Sequence, residues 1–454
     1  MLCLMDDQRS LWEWESVLRP ELFRLNEELT EVDRLLNDER FFAPFKARFD
    51  TRLGRPTVPV ATYLRLMYLK RRYRMGYETL VKEVHDSFAW RRFCHLSLDD
   101  RVPDATTLIK LSHKYGDDIL RELNDALVLK LKERKVIRGK KLRVDTTVTE
   151  ANIHFPTDTG LLADGVKVIT RTVGKLKKLA GGATKGFHNH TRKVKKKCLA
   201  LNKVLKHRVG RSDPALLKVK EKILEVAEEV VAEAREVQFQ LGTLVHKPFG
   251  VRRLAEQLDG WLEATGKVIE QTRRVLDGQL HLKSRLVSIF DAKARPIRKG
   301  KLRTDTEFGR KVLIGETDHG IITTYQVLEE NPPDTALLKP VVRGHRRLFR
   351  KRLRAVAGDR GFYSRENEAW LKGGGVRQVS IPVRGKASPE KRAEQKQSWF
   401  RRLQCFRAGG EGRISLLKRK FGLDRSLMRG PDGTEIWVGE GIFAHNLCQA
   451  ARMT

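Results

Sequence analysis

The stretch from residue 353 to 364 constrains the chain most. Leu353, Ala355, Val356 and Ala357 follow basic residues and make a short apolar segment that reads as a buried strand. It stops at Gly358, Asp359, Arg360 and Gly361, and Ser364 then stands where a new helix needs its N-cap. A carboxylate at the carboxyl end of an interior strand sits in the crevice where open α/β sheets hold ligands. Asp359 reads equally well as a turn residue capping the next helix, since Asp beside Gly is ordinary turn chemistry. The rest of the chain shifts the balance.

Lys and Arg outnumber Asp and Glu by 91 to 57, a formal charge of +34. Such an excess opposes compaction by self-repulsion, so a polyanion is the natural partner. An anionic membrane fits less well: no apolar run approaches the roughly 18 residues of a spanning helix, and no amphipathic anchor is evident. With 454 residues the chain can bury a large core, in about two to four domains. Cys3, Cys94, Cys198, Cys405 and Cys448 are scattered and lack CxxC spacing, so neither a disulfide framework nor a zinc site is expected. The apolar Met1 to Met5 run is too short for a signal peptide. The expected compartment is reducing: the cytoplasm, in association with the nucleoid.

Residues 1–135 read as helical. Leu22, Leu25, Leu29, Val32 and Leu36 step by three and four along one face. A second helix follows Pro59 and ends in Lys70, Arg71, Arg72 and Arg74 before Gly76. With the next helix from Tyr77, this is compatible with a DNA-binding helix-turn-helix, making Arg71 and Arg72 candidate DNA contacts. The helix dipole alone would also favour cations there. Asp104 is placed to cap a further helix, which Gly116 separates from a last one.

Residues 136–159 change texture. Leu142, Val144, Thr146, Thr147 and Val148 make an alternating, β-branched strand. Asp145 is ill suited to its interior, so it is either a functional acid or a surface residue of an edge strand. Residues 160–282 look like a helical insertion, a hairpin or three-helix bundle, from the heptad spacing of Leu162, Val166, Ile169, Val173 and Leu176 and of two later series. Between the first two series, residues 185–211 are dense in Lys, Arg and His. They form either a solvated loop or a track for a phosphate backbone, with Lys195, Lys196 and Lys197 as candidate contacts. His188, Asn189 and His190 spell an HNH label only superficially, since those letters are not contiguous in HNH folds and no zinc ligands are evident around them in the sequence. From residue 283 to 454 strand texture returns at Val287 to Phe290, then in a hairpin through residues 311–327. A helix from Asp334, the Asp359 strand, a helix after Ser364, a strand near Val379, a polar loop at residues 384–397 and two more helices follow.

Strands first, then helix, strand, helix, strand, helix is the order of a ribonuclease-H-like fold, with the helical insertion after the first strand. In that fold the first and fourth strands are neighbours, so Asp145 and Asp359 would meet. Among later acids, Glu366 and Glu368 suit a helix first turn without a metal. Glu390 and Glu394 fall in the polar stretch, and Asp424, Asp432, Glu435 and Glu440 in turn-rich sequence expected to be exposed. Glu411 shares a helical face with Ile414, Leu417 and Phe421, which would put it at the edge of a buried stripe. Three converging carboxylates repel unless cations sit between them, and hard oxygen donors suit Mg²⁺ or Mn²⁺.

The segments around Asp145, around Asn152 to Asp158, from Ala357 to Phe362 and from Glu411 to Arg419 together resemble the bacterial insertion-sequence DDE transposases. Arg101 to Thr107 is similar to a further segment of that family. The resemblance implies that Asp145, Asp359 and Glu411 are the catalytic metal ligands, holding two Mg²⁺ or Mn²⁺ ions. Many relatives carry a Tyr–Arg–Glu–Lys series around the third acid. Here Arg407, Glu411 and Lys418 fit it, Gln404 stands where Tyr would be, and Gly410 replaces an apolar residue. Arg407 and Lys418 are then candidate DNA contacts. The implied activity is hydrolysis at the ends of the element and transfer of the freed 3′-OH to target DNA, by at least a homodimer on double-stranded DNA. A catalytically silent DNA-binding regulator of the same descent is the alternative.

Overall fold

The computed structural model describes residues 2–3, 18–50, 52, 56–207, 210, 213–244, 246, 248–279, 282, 285–298, 306–350, 353–428 and 432–453. Met1, Leu4 and Met5 of the apolar start and Arg208 and Arg211 of the basic stretch lie outside these residues. Two compact units form, one from residues 1–152 with 309–454 and one from residues 153–308.

The first unit begins with helices α1 (Glu27–Leu36), α2 (Val60–Arg72), α3 (Tyr77–Asp86), α4 (Phe88–Phe93) and α5 (Ala105–Glu133). Asn26 caps α1 by accepting the Leu29 amide at 2.8 Å. Gly116 breaks α5 with φ of 69°, a left-handed value that glycine reaches at little cost. Strand β1 (Lys141–Glu150) follows.

The second unit is helical: α6 (Asp158–Leu179), α7 (Thr191–Lys206), α8 (Pro214–Gly242) and α9 (Phe249–Leu276). Leu162, Ile169, Val230, Leu258 and Val268 lie in its separate core. The basic stretch is thus no loop: α7 adds a helix to the three that the heptads predict, with Val194 and Leu201 turned inward. Val287 to Phe290 is not a strand. The Ser288 hydroxyl accepts the Phe290 and Asp291 amides at 3.1 and 3.2 Å, a local turn that competes with strand pairing. A short strand forms instead at Arg295–Arg298.

Back in the first unit, β2 (Thr306–Thr317), β3 (Ile322–Val327), β4 (Ala355–Gly358) and β5 (Gln378–Ser380) complete a mixed sheet in the order β3-β2-β1-β4-β5. β2 is antiparallel to both β1 and β3, whereas β4 is parallel to β1 and to β5. Helices α10 (Asp334–Phe349), α11 (Arg365–Gly373), α12 (Pro389–Lys396), α13 (Ser398–Phe421) and α14 (Gly433–Ala451) accompany it. α12 corrects the polar loop expected at residues 384–397: Ser388 caps it and Pro389 opens it, a strong local start signal. α14 is buried almost all round and joins α1, α2 and α5 in one core with Val312, Ile314 and Tyr325 of the sheet. Leu142, Val144 and Val356 point to the other face, against Leu338 and Val342 of α10 and Phe362. Strand alternation then sends Arg143 and Asp145 to the opposite side from Leu142 and Val144. Ala355 and Ala357 also face away from Val356, and they meet Leu403 of α13. Small residues there let the helix lie close to the strand.

Candidate active site

Asp145 and Asp359 come together through register. β1 and β4 run parallel and their last pair is Val144 with Gly358. Each acid is the next residue of its strand, so both leave neighbouring strands at the same level and on the face that carries α13. Asp145 Oδ1 accepts the Thr146 amide at 2.8 Å. Asp359 Oδ1 accepts the Gly361 amide at 2.8 Å, capping the turn Arg360–Phe362. The capping reading of Asp359 and its place beside Asp145 therefore hold at once.

Glu411 lies on α13, one residue after Gly410, whose Cα turns toward Asp145: a Cβ there would stand 3.9 Å from Asp145 Oδ2. Glu411 is exposed and receives a hydrogen bond from Arg407 Nη2 at 2.8 Å. This corrects its expected place at the edge of a buried stripe, which is filled by Leu417 and Phe421 further along the helix. Burial pushes the Asp145 carboxyl up to about 6; the Thr146 amide opposes this, the Asp359 charge adds to it, Arg407 opposes it and Glu411 adds to it. The charges of both other acids thus act on Asp145, and Arg407 opposes them. The donors are all hard oxygens, a set that suits Mg²⁺ or Mn²⁺, though the three carboxylates do not all lie within 4.8 Å of one another here.

A buried ionic network fixes this geometry, and sequence reasoning missed it. Glu316 faces Arg143 across the β1–β2 ladder. It accepts from Arg143 Nε at 2.9 Å and Nη2 at 2.5 Å, and from Arg413 Nε at 3.1 Å. Arg143 Nη1 donates to the Phe406 carbonyl at 2.6 Å, so the arginine ties α13 to the sheet. Arg413 Nη1 also donates to His445 Nε2 of α14 at 3.1 Å. Arg143 passes beneath Gly409 and Gly410, where added Cβ atoms would stand 3.0 and 3.5 Å from it. The glycine before Glu411 thus marks the crossing of Arg143. Gln404, in place of the expected Tyr, donates to the Ser380 carbonyl at 2.7 Å and to its hydroxyl at 2.9 Å, linking α13 to β5. The signal that could have found the network is a charge inside an apolar strand, at Arg143 and Glu316.

Arg71 and Arg72 are corrected as DNA contacts. Arg71 is 3 % exposed, stacks over Trp437 at 3.8 Å and donates to the Trp437 carbonyl at 2.7 Å. Arg72 is held by Glu28 at 2.5 and 3.0 Å. Neighbouring Lys70 is buried against Glu440 at 3.2 Å, so Glu440 is not exposed as expected. Glu435 pairs with Arg310, and Glu394 with Lys391 on α12. Asp334, whose carboxylate lies beside Gly361 as Asp359 does, is neutralised by Lys311 at 2.6 Å. Lys195 and Lys196 are exposed on α7, with Lys197 partly so, and Lys418 is partly covered on α13. Among the described residues no helix is long and apolar enough to cross a membrane.

Comparison with known families gives two matches. Residues 19–114 match the transposase domain (DUF772), and residues 282–447 match the transposase DDE domain. The second match contains Asp359 and Glu411, while Asp145 precedes it. No curated protein and no solved structure matches the chain. By its two family matches the chain belongs to the insertion-sequence DDE transposases.

Proposed function

We propose that the chain binds the ends of its own insertion sequence as double-stranded DNA, hydrolyses a phosphodiester at each end and transfers the freed 3′-OH to target DNA. The observation that carries this reading is that Asp145, within β1, and Asp359, just after β4, both follow the last parallel pair, Val144 with Gly358, with Glu411 close enough to act on Asp145. The strand order β3-β2-β1-β4-β5 is the order of ribonuclease-H-like folds, whose catalytic acids stand at these positions.

Asp145, Asp359 and Glu411 would hold the metal, Mg²⁺ or Mn²⁺. Two such ions stabilise the attacking and leaving oxygens of an in-line phosphoryl displacement. The chain's own part is positional. Glu316 and Arg143 keep α13, the helix that carries Glu411, on the sheet face where Asp145 and Asp359 lie. Arg407 pairs with Glu411 in this structure and would be available to a phosphate were Glu411 to hold a metal instead. Exposed Lys195 and Lys196, with partly covered Lys197 and Lys418, supply further phosphate contacts. Two element ends call for at least a homodimer, and the DNA partner places the protein at the nucleoid.

The test is incubation of the full-length protein with DNA carrying the element ends and Mg²⁺. Nicks at the element boundary and end-to-target joints are expected. Tight end binding with no nick under Mg²⁺ or Mn²⁺ would instead establish the silent regulator.

A further inference from the structure

In the second unit, the segment before α7 meets α8 through three side chains that the proposed reaction does not use. Glu233 Oε1 lies 3.0 Å from His190 Nε2 and 3.4 Å from His188 Nδ1. The three candidate ligand atoms fall within 4.8 Å of one another. Ligands about 2.0–2.1 Å from a tetrahedral zinc stand roughly 3.3 Å apart, which is the spacing of Glu233 from each imidazole. The other Glu233 oxygen, Oε2, accepts the His188 amide at 2.8 Å, so Oε1 is turned to the two rings. His190 is buried, and its second nitrogen, Nδ1, faces Glu229 Oε2 at 3.7 Å. A carboxylate behind a metal-bound imidazole is the usual outer partner that fixes its tautomer.

We propose that His188, His190 and Glu233 bind a divalent transition-metal ion of the Zn²⁺ type, which clamps the start of α7 to α8. Two imidazoles favour such an ion over Mg²⁺, so this site is chemically distinct from the all-oxygen set at Asp145. Three protein ligands leave a position for water, on the side of exposed His188. Glu229 also holds Lys193 at 2.5 Å, so the clamp is joined to the basic face of α7 that carries Lys195 and Lys196. No zinc spacing shows along the sequence, because Glu233 is supplied by another helix.

The experiment uses chelator-stripped full-length protein in excess Mg²⁺, titrated with Zn²⁺ against a chromophoric indicator. One tight zinc is expected, weakened at least about tenfold in His188→Ala and in Glu233→Gln and unchanged in Asp145→Asn. Co²⁺ in the same site should give d–d bands without a thiolate charge-transfer band. His188 is exposed, so its removal leaves the core intact even if a His190 variant misfolds. Equal zinc affinity in wild type and His188→Ala would overturn the proposal and leave a hydrogen-bonded His–Glu cluster.

Discussion

The two units handle charge in opposite ways. The sheet-containing unit buries Arg65, Lys70, Arg71, Arg310, Glu316 and Glu440, none more than 3 % exposed. The helical unit keeps most of its ions outside, in pairs along helix faces such as Arg252 with Glu256 and Lys267 with Glu263. Its buried polar groups are mostly Thr, with His190, Gln271, Ser288 and a single carboxylate, Glu307, among the described residues. An ion pair on a helix surface contributes little, about 0–1 kcal/mol, whereas breaking a buried pair costs about 3–5 kcal/mol because the surviving charge stays in low dielectric. The same basic composition thus serves two ends. In the first unit it locks elements far apart in sequence, and in the second it stays open to solvent.

The largest effect should come from Glu316→Gln, which strands Arg143 and Arg413. Denaturant unfolding should show a loss of about 3–5 kcal/mol, while Glu263→Gln in the other unit should leave the unfolding midpoint essentially unchanged. Equal losses would erase the contrast between the units.

A smaller effect should appear on acidification. Burial, the first cause in each, holds His345 down to about 4 and His445 down to about 3. The unfolded chain takes up these protons near pH 6.5, before the folded protein does, so each buried imidazole loses stability as pH falls below that value. From pH 7 to 5 the loss is about 2 kcal/mol per imidazole. Asp145 and Asp125, raised to about 6 by burial first, act in the opposite sense, since the folded state then binds the extra protons. The raw profile mixes these contributions, but comparing wild type with His345→Gln at both pH values isolates one. If the variant loses as much on acidification as wild type does, the imidazole is not the source.

Next comes DNA binding. Neutralising Lys195, Lys196 and Lys197 together should lower the slope of log affinity against log salt by about 0.9 for each phosphate that a lysine had neutralised. The fold, followed by circular dichroism, should be unaffected. Arg71→Ala should do the reverse, lowering stability and leaving the salt slope alone. The smallest expected change is Gly410→Ala. An added methyl would sit 3.5 Å from Arg143, an ordinary contact, so helix propensity should raise stability by up to about 1 kcal/mol.

Much of the architecture is legible in the sequence because its signals are local. Apolar periodicity finds α2, α6, α8 and α9, Ser364 starts α11, and Gly116 breaks α5. Asp359 is visible as an acid ending a strand, and Asp145 as an acid inside one. What local pattern cannot supply is the partner of a charge. Lys70 and Glu440 are 370 residues apart, so a basic helix end that buries Arg71 looks the same as one that meets DNA. Glu411 illustrates the same limit, because its neighbours Ile414 and Leu417 suggest burial while Arg407 holds it in solvent. Gln404 and Gly410, departures from the family series, become intelligible only once Ser380 and Arg143 are seen beside them.

The central claim is that Glu411 completes the acid set begun by Asp145 and Asp359. Its most direct test is Mg²⁺-dependent cleavage of element-end DNA by Glu411→Gln, with Glu394→Gln as control. Glu411→Gln keeps the shape of the side chain and removes its charge, so end binding should persist while the cleavage rate falls by orders of magnitude, with Glu394→Gln near wild type. Near wild-type cleavage by Glu411→Gln alongside an inactive Glu394→Gln would contradict the assignment.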